Sequence, residues 1–290
     1  MSKITRRNFL KVTGAAAAAA ALAACGAGGS ANGTQFHIAV PNDTTNEARA
    51  LRLLEKNGFF TLSEDAGITA TKNDIVENPY NVVIDEVEAA QVPNVLQDED
   101  YAVINSNYAI PAGLDPMTQA LAMEDGTSDY VNVLVCKDGN QDQPLIKALA
   151  AALQSQQVKD YMAEQYKGAV VSVVENPTDG YDPTVDYEAL NGQTISCAAT
   201  PAPHCEVLEV CVPILEAKGI TLDIQEFDDY IIPNTVVEDG QVDTNYFQHQ
   251  PYLDDFNEQN GTHLVTVAGI HVEPMGIYGG KQTSLDAIFG

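Results

Sequence analysis

Two runs of alternating strand-like and helix-like segments, separated by a break at Glu175–Gln193, constrain this chain more than any other feature. In the first run Thr34–Val40 alternates like a strand and stops at Pro41-Asn42-Asp43. Ala48, Leu51 and Leu54 then fall along one side of a helix. Val82–Val87, Tyr101–Asn105 and Val131–Cys136 read as further strands, and helices are predicted over Pro144–Leu153 and Gln157–Tyr166. The break carries Asn-Pro, Asp-Gly and Asp-Pro pairs with few apolar residues, which is linker chemistry. The second run opens with a strand at Thr194–Ala198 and passes Pro201 and Pro203 into a helix. That helix has an apolar stripe of Val207, Val210, Cys211, Ile214 and Leu215, and Gly219 is placed to end it. Ile220–Phe227, Leu264–Ala268 and Met275–Tyr278 supply further strands. Alternation with short connections predicts an α/β fold in two lobes, each a mostly parallel sheet flanked by helices.

The N-terminus sets the expected location. Arg6-Arg7 ahead of an alanine-rich apolar run reads as a twin-arginine export address. Val12–Ala24 is short for a membrane span and ends in small residues, so residues 1–24 are predicted to be a signal peptide. Leu22-Ala23-Ala24-Cys25 resembles a bacterial lipobox, which would leave Cys25 as a lipid-modified N-terminus. Several acyl chains on one cysteine hold a protein to a membrane far longer than one chain does. The alternative is an ordinary soluble export signal with a chance cysteine. Residues 25–33 form a Gly/Ala/Ser tether. The expected location is the extracytoplasmic face of the cell membrane.

Charge and cysteine narrow the partners. The chain carries a formal charge of −27, and its leader holds Lys3, Arg6, Arg7 and Lys11 with no acid, so the body is more acidic still. A body of this sign excludes nucleic acid, whose binding proteins need a basic face, and it repels anionic membrane surfaces. Cys136, Cys197, Cys205 and Cys211 show no Cys-x-x-Cys spacing, and buried free thiols are expected. One disulfide is open to an exported protein, but the sequence does not choose a pair.

In α/β lobes, ligands collect where strands feed helix N-termini, which present unpaired N–H groups. Pro41–Arg49 and Thr200–His204 both occupy such places. Arg49 stands out in a body with very few arginines. Beside Asn46, its guanidinium could grip a carboxylate through two parallel hydrogen bonds, a surface salt bridge being the bland reading. Asp243–Tyr252 packs three aromatics, His249 and three amides into a turn-like stretch before a helix. It could wall a pocket for an apolar tail or be a satisfied core cluster. His249 has no companion at metal-ligand spacing, and His263 and His271 lie outside any His-x-x-x-His pattern, so no metal is expected. The chain has no Gly-x-Ser-x-Gly elbow, Walker loop or Gly-x-Gly-x-x-Gly fingerprint. Neither a cofactor nor an enzyme activity is predicted.

Six motifs together carry a resemblance: Pro41-Asn42-Asp43-Thr44-Thr45-Asn46, Asn105-Ser106-Asn107-Tyr108, Tyr130-Val131-Asn132-Val133, Thr200-Pro201-Ala202-Pro203-His204, Phe227-Asp228-Asp229-Tyr230 and Asn245-Tyr246-Phe247-Gln248-His249. The chain resembles the NlpA-type methionine-binding lipoproteins, substrate-binding components of methionine ABC importers. One departure is the order of the halves. The family's counterpart of Thr194–Gly290 precedes that of Gly33–Val174, so this chain looks circularly permuted, with Glu175–Gln193 bridging the family's usual termini. A fragment of a tandem gene is the rival account.

The resemblance implies a two-lobed, type II periplasmic-binding-protein-like fold. One lobe would hold residues 34–128 plus 284–290, the other 129–174 plus 194–283, with 175–193 as linker and hinges near Asp129–Asn132 and Tyr278–Lys281. It also implies a carboxylate clamp at Arg49 supported by Asn46. Asn107 and Asn132 would face the amino acid's ammonium and carboxylate. Tyr230, Phe247, His249 and Tyr252 would surround the thioether, where sulfur–aromatic contacts are favourable. The implied function is capture of L-methionine or a close analogue and its delivery to an ABC permease in the membrane. Another amino acid or a short peptide as ligand, a lipid-anchored hydrolase using His249 or His204 as base, and a surface protein with a defunct cleft are the alternatives.

Overall fold

A computed structural model describes residues 35–125 and 130–290. The leader, the tether and Cys25 lie outside the described residues. Thr34–Gly290 form one compact unit. Among the described residues, no helix is long and apolar enough to cross a membrane.

Two large sheets organise the unit. The first has the order β4 (Val82–Val87), β1 (Phe36–Pro41), β5 (Tyr101–Ile104), β13 (Gly276–Gly279), β6 (Ala120–Met123). The second runs β10 (Thr221–Glu226), β9 (Thr194–Ala199), β11 (Thr244–His249), β7 (Asn132–Lys137), β12 (Leu264–Val272), β8 (Val171–Ser172). Strands β2 (Thr61–Leu62) and β3 (Ile75–Glu77) make a small antiparallel pair.

Both large sheets are mixed, with most strands of each running one way, as expected, and a minority opposed. β1 runs parallel to β4 and β5, whereas β13 is antiparallel to β5 and β6. β9 is parallel to β10 and β11, but β7 is antiparallel to β11 and β12, and β12 to β8. Neighbours within one run are joined through helices and come out parallel. β7 and β13 instead enter their sheets from the other half. Periodicity marks a strand but not its direction, so the sequence could not show this.

The strand β13 also corrects the expected division. It pairs with β5 from Gly276 to Gly279, and Ile277 and Tyr278 are buried in the first half. The chain therefore returns through Glu273–Met275, ahead of the Tyr278–Lys281 hinge and well ahead of a boundary at 283. The other crossing leaves β6 at Met123 and enters β7 at Asn132. The two crossings are tied together, since the Glu124 N–H donates to the Met275 carbonyl at 3.0 Å. The Ser106 hydroxyl pins the return segment by donating to the Pro274 carbonyl at 2.6 Å.

Each sheet buries its own core. Ile38, Leu51, Leu54, Tyr101 and Ile277 pack in the first half, and Leu134, Leu149, Ile195, Leu215 and Tyr246 in the second. The helix Thr44–Lys56 joins the first core through its buried stripe of Ala48, Leu51 and Leu54. Asp43 caps it by accepting from the Asn46 N–H at 3.1 Å, and Glu47 in the first turn suits the positive end of the helix dipole. The chain leaves it through Gly58 at φ +86°, a left-handed conformation that costs a glycine little. Residues 175–193 hold no strand or helix, yet they are strapped down. The Thr178 hydroxyl donates to the Ala151 carbonyl at 2.6 Å, the Tyr181 hydroxyl to the Ile214 carbonyl at 3.2 Å, and Leu190 is buried.

Candidate functional site

The ends of β1, β5, β7 and β11 and the return crossing converge on one small cavity between the two halves. All eight residues singled out from the sequence as ligand contacts line it: Asn46, Arg49, Asn107, Asn132, Tyr230, Phe247, His249 and Tyr252. Asn105, Ser106, Gln248 and Glu273 line it as well, and sequence reasoning did not single these out.

The aromatic wall is built on β11, which is a central strand and not the turn expected at Asp243–Tyr252. Its six residues are all buried because it pairs with β9 on one side and β7 on the other. A register shift between Tyr246 and Gln248 marks a bulge at Phe247. Bulges re-aim side chains, and here Tyr246 points into the second core while Phe247 joins Tyr252 and Phe256. The Tyr230 ring completes the wall, with centroids 5.8 Å from Phe247 and 5.7 Å from Tyr252. The Tyr252 hydroxyl donates to the Tyr230 carbonyl at 2.9 Å, fixing the two rings together.

The amides of this stretch serve the scaffold. Gln248 Nε2 donates to Asn234 Oδ1 at 2.6 Å and to Asn245 Oδ1 at 2.9 Å, and Asn234 returns a bond to Gln248 Oε1 at 2.9 Å. A closed, buried polar network of this kind rigidifies its surroundings. Gln250 bonds Asp254 on its own helix.

His249 caps the helix Gln250–Asn260. Its Nδ1 accepts from the Tyr252 N–H at 3.1 Å, so its proton sits on Nε2, which donates to Asn46 Oδ1 at 3.3 Å across the cavity. Burial first, and then the nearby Arg49 charge, hold its pKa well below the ordinary imidazole value. Both ring nitrogens are thereby committed, which leaves no lone pair for a general base. Asn46 is a cross-link more than a ligand arm. Its Oδ1 also accepts from Asn105 Nδ2 at 2.8 Å, and its Nδ2 donates to Asp43 Oδ1 at 2.8 Å.

Arg49 is buried, and it is already paired. Nε donates to both Glu124 oxygens at 2.9 and 3.0 Å, and Nη2 to Glu124 Oε2 at 2.6 Å. Nη2 also donates to the Glu273 carbonyl at 2.9 Å, and the guanidinium carbon lies 4.4 Å from the Tyr130 ring centroid. Burial works against the charge, but the Glu124 carboxylate outweighs it and the pKa ends above its ordinary value. Arg49 thus grips both crossing segments as well as facing the cavity.

A second buried cluster stands behind the cavity. Glu273 Oε1 lies 3.4 Å from His204 Nε2 and 3.4 Å from His271 Nε2. A carboxylate only accepts, so both Nε2 atoms carry protons. His204 Nδ1 then accepts from the Thr200 hydroxyl at 2.8 Å, and His271 Nδ1 is bonded to the Tyr246 hydroxyl. His204 Nε2 is also 3.1 Å from Asn132 Oδ1. Burial, reinforced by His271, drives the His204 pKa well below the imidazole range. The three ligand-type atoms lie within 4.8 Å of one another, with His204 brought from far off in the sequence to meet His271 and Glu273. A looser set, His37, Asp85 and Glu99, is half-buried on the first half.

Three polar atoms on the cavity lining are buried without a hydrogen-bond partner: Asn105 Oδ1, Asn107 Nδ2 and Glu273 Oε2. Unpaired buried groups are rare and costly, so one donor and two acceptors on residues around one cavity leave hydrogen-bonding capacity there. Cys136, Cys197, Cys205 and Cys211 are free and buried. Burial pushes the Cys205 thiol up to about 12, which removes it as a nucleophile beside His204.

Two mixed α/β halves, crossed twice by the chain, thus meet over a polar and aromatic cavity. Comparison with known proteins gives the family. The NlpA lipoprotein family matches residues 33–174 and 195–289, and this chain belongs to it. Residues 3–23 match the twin-arginine translocation pathway signal sequence. The chain is 48% identical over 135 residues to membrane lipoprotein TpN32 of Treponema pallidum, covering 47% of this chain and 50% of that one. It is 40% identical over 136 residues to the D-methionine-binding lipoprotein MetQ of Escherichia coli, covering 46% and 50%. A solved nutrient binding protein of Burkholderia cenocepacia bound to methionine is 46% identical, over 47% of this chain and 58% of the other, with a TM-score of 0.46. The chain spans about half the length of the curated relatives it matches.

Proposed function

We propose that this protein captures methionine, or a close analogue, in the cavity between its halves and delivers it to an ABC permease. The observation that carries the reading is the pairing of an aromatic wall with unpartnered polar atoms of both kinds in one enclosed space. An amino acid with a linear apolar tail matches that lining. Its carboxylate would lie toward Arg49 and Asn107 Nδ2, its ammonium toward Asn105 and Asn132, and its thioether among Tyr230, Phe247, His249 and Tyr252. The printed name of the Escherichia coli relative specifies D-methionine, so both enantiomers belong in the test. Titration calorimetry on unfolded, washed and refolded protein should give saturable heat with at least one enantiomer. Folded protein that gives none with either would contradict the proposal.

We infer further that lipid on Cys25 tethers the protein to the outer face of the membrane after twin-arginine export. The match at residues 3–23 and the Leu-Ala-Ala-Cys sequence support this. Mass spectrometry of the N-terminal peptide from membrane fractions tests it, with an unmodified Cys25 as the contrary result. The two halves are proposed to stand in circularly permuted order. Support comes from the family match in two blocks flanking the 175–193 region, and from Ile288 packing in the same core as Ile38 and Phe36 of β1.

A further inference from the structure

We propose that Glu273 is the counter-ion of the ligand's ammonium group and makes the site selective for ligands with a free α-amine. The inference rests on the proposed capture of an amino acid and adds to it the residue that reads the amine.

Charge accounting on the cavity wall leads to Glu273. Among the lining residues, formal charge is carried by Arg49 and Glu273 alone. Arg49 is neutralised within the protein by three hydrogen bonds to the Glu124 carboxylate. The Glu273 side chain is 7% exposed, and among the described residues no Lys or Arg nitrogen lies within 4 Å of its carboxylate. His271 Nε2 bonds Oε1, whereas His204 Nε2 lies near the same oxygen but is bonded to Asn132 Oδ1. Both contacts to Oε1 are long, at 3.4 Å, and Oε2 has no hydrogen-bond partner. A buried carboxylate oxygen left without a donor is costly to keep, and the fold holds Glu273 in place. Its carbonyl is held by Arg49 Nη2, and Pro274 follows directly. A ligand ammonium beside Oε2 supplies both the missing donor and the missing charge, and Asn105 Oδ1 is a second unused acceptor on the same wall. Glu273 also sits on the return crossing. Neutralising it therefore links ligand charge to the segment about which the halves would move.

The test is a calorimetric comparison of each of the twenty amino acids with its deamino analogue, on refolded wild type and on Glu273→Gln. Wild type should bind its preferred amino acid at least about tenfold more tightly than the analogue lacking the amine, as expected for a charge-assisted hydrogen bond. In Glu273→Gln that ratio should fall to within about threefold, mainly through weaker binding of the amino acid. An unchanged ratio, or equal weakening of both ligands, overturns the proposal. If the variant does not fold, wild type alone decides, since equal binding of the deamino and N-acetyl forms overturns it. The same amine dependence on an amino acid other than methionine would support Glu273 and sink the methionine reading alone. Binding of no amino acid by folded wild type would overturn both.

Discussion

Tyr230 Oη donates a hydrogen bond to Asn107 Oδ1 at 2.7 Å, joining the two halves across the cavity. The bond fixes the Asn107 amide, and it leaves Nδ2 buried, unpartnered and on the cavity lining. Asn107→Ala is therefore expected to weaken methionine binding by about tenfold or more, the usual loss for a hydrogen bond to a charged group. Tyr230→Phe should cost less, because the ring stays and Asn107 loses only its anchor. Calorimetry on the two variants checks the order, and equal losses would contradict it.

Arg49 has two tasks, so its variants should separate them. Arg49→Ala should weaken methionine binding at least about tenfold, and it should also destabilise the fold by about 2 kcal/mol, because the partly buried Glu124 loses its charged partner. The double variant Arg49→Ala with Glu124→Ala should regain much of the stability and none of the affinity. Urea unfolding and calorimetry read the two effects independently. Restored affinity in the double variant would remove Arg49 from the binding site.

The buried imidazoles give stability a direction in pH. His204 and His249 are held well below the ordinary value, so near pH 6.5 the unfolded chain takes up protons that the folded chain refuses. Their contribution is full above that pH and is lost as the pH falls below it, by up to about 1.4 kcal/mol per pH unit for each ring. Glu47, raised to about 7 by burial, acts in the opposite sense, so the difference between two chains is the useful quantity. The stability advantage of wild type over His249→Gln should shrink between pH 7.5 and pH 5. Parallel pH slopes in urea unfolding would contradict the assignment.

Chain order offers a further prediction. A protein starting at Thr194, with Gly290 joined to Gly33 and the chain ending near Val174, should fold and bind ligand like the original. Circular dichroism and calorimetry test this. A rearranged chain that fails to fold would count against the permuted order.

Much of the site was legible because its residues lie in dense local motifs. Asn46 and Arg49 follow a strand that stops at Pro41, and Phe247, His249 and Tyr252 stand close together, so local chemistry marked them. Glu273 was invisible for the opposite reason. It is one acid among 41 Asp and Glu, and only the convergence of His204, His271 and the return crossing makes it unusual. Strand direction was hidden as well, because alternation cannot say that β7 and β13 enter their sheets from the other half. β11 escaped notice because burial on both faces removes the polar alternation by which a half-exposed strand is read.

Native mass spectrometry of the chain, first as purified and then after exchange into excess methionine, tests the central claim most directly. The account predicts a single chain carrying one methionine, lost on unfolding and regained on refolding with the amino acid present. A folded chain that stays free of methionine in excess ligand, or that takes it up only as a pair of chains, would contradict it.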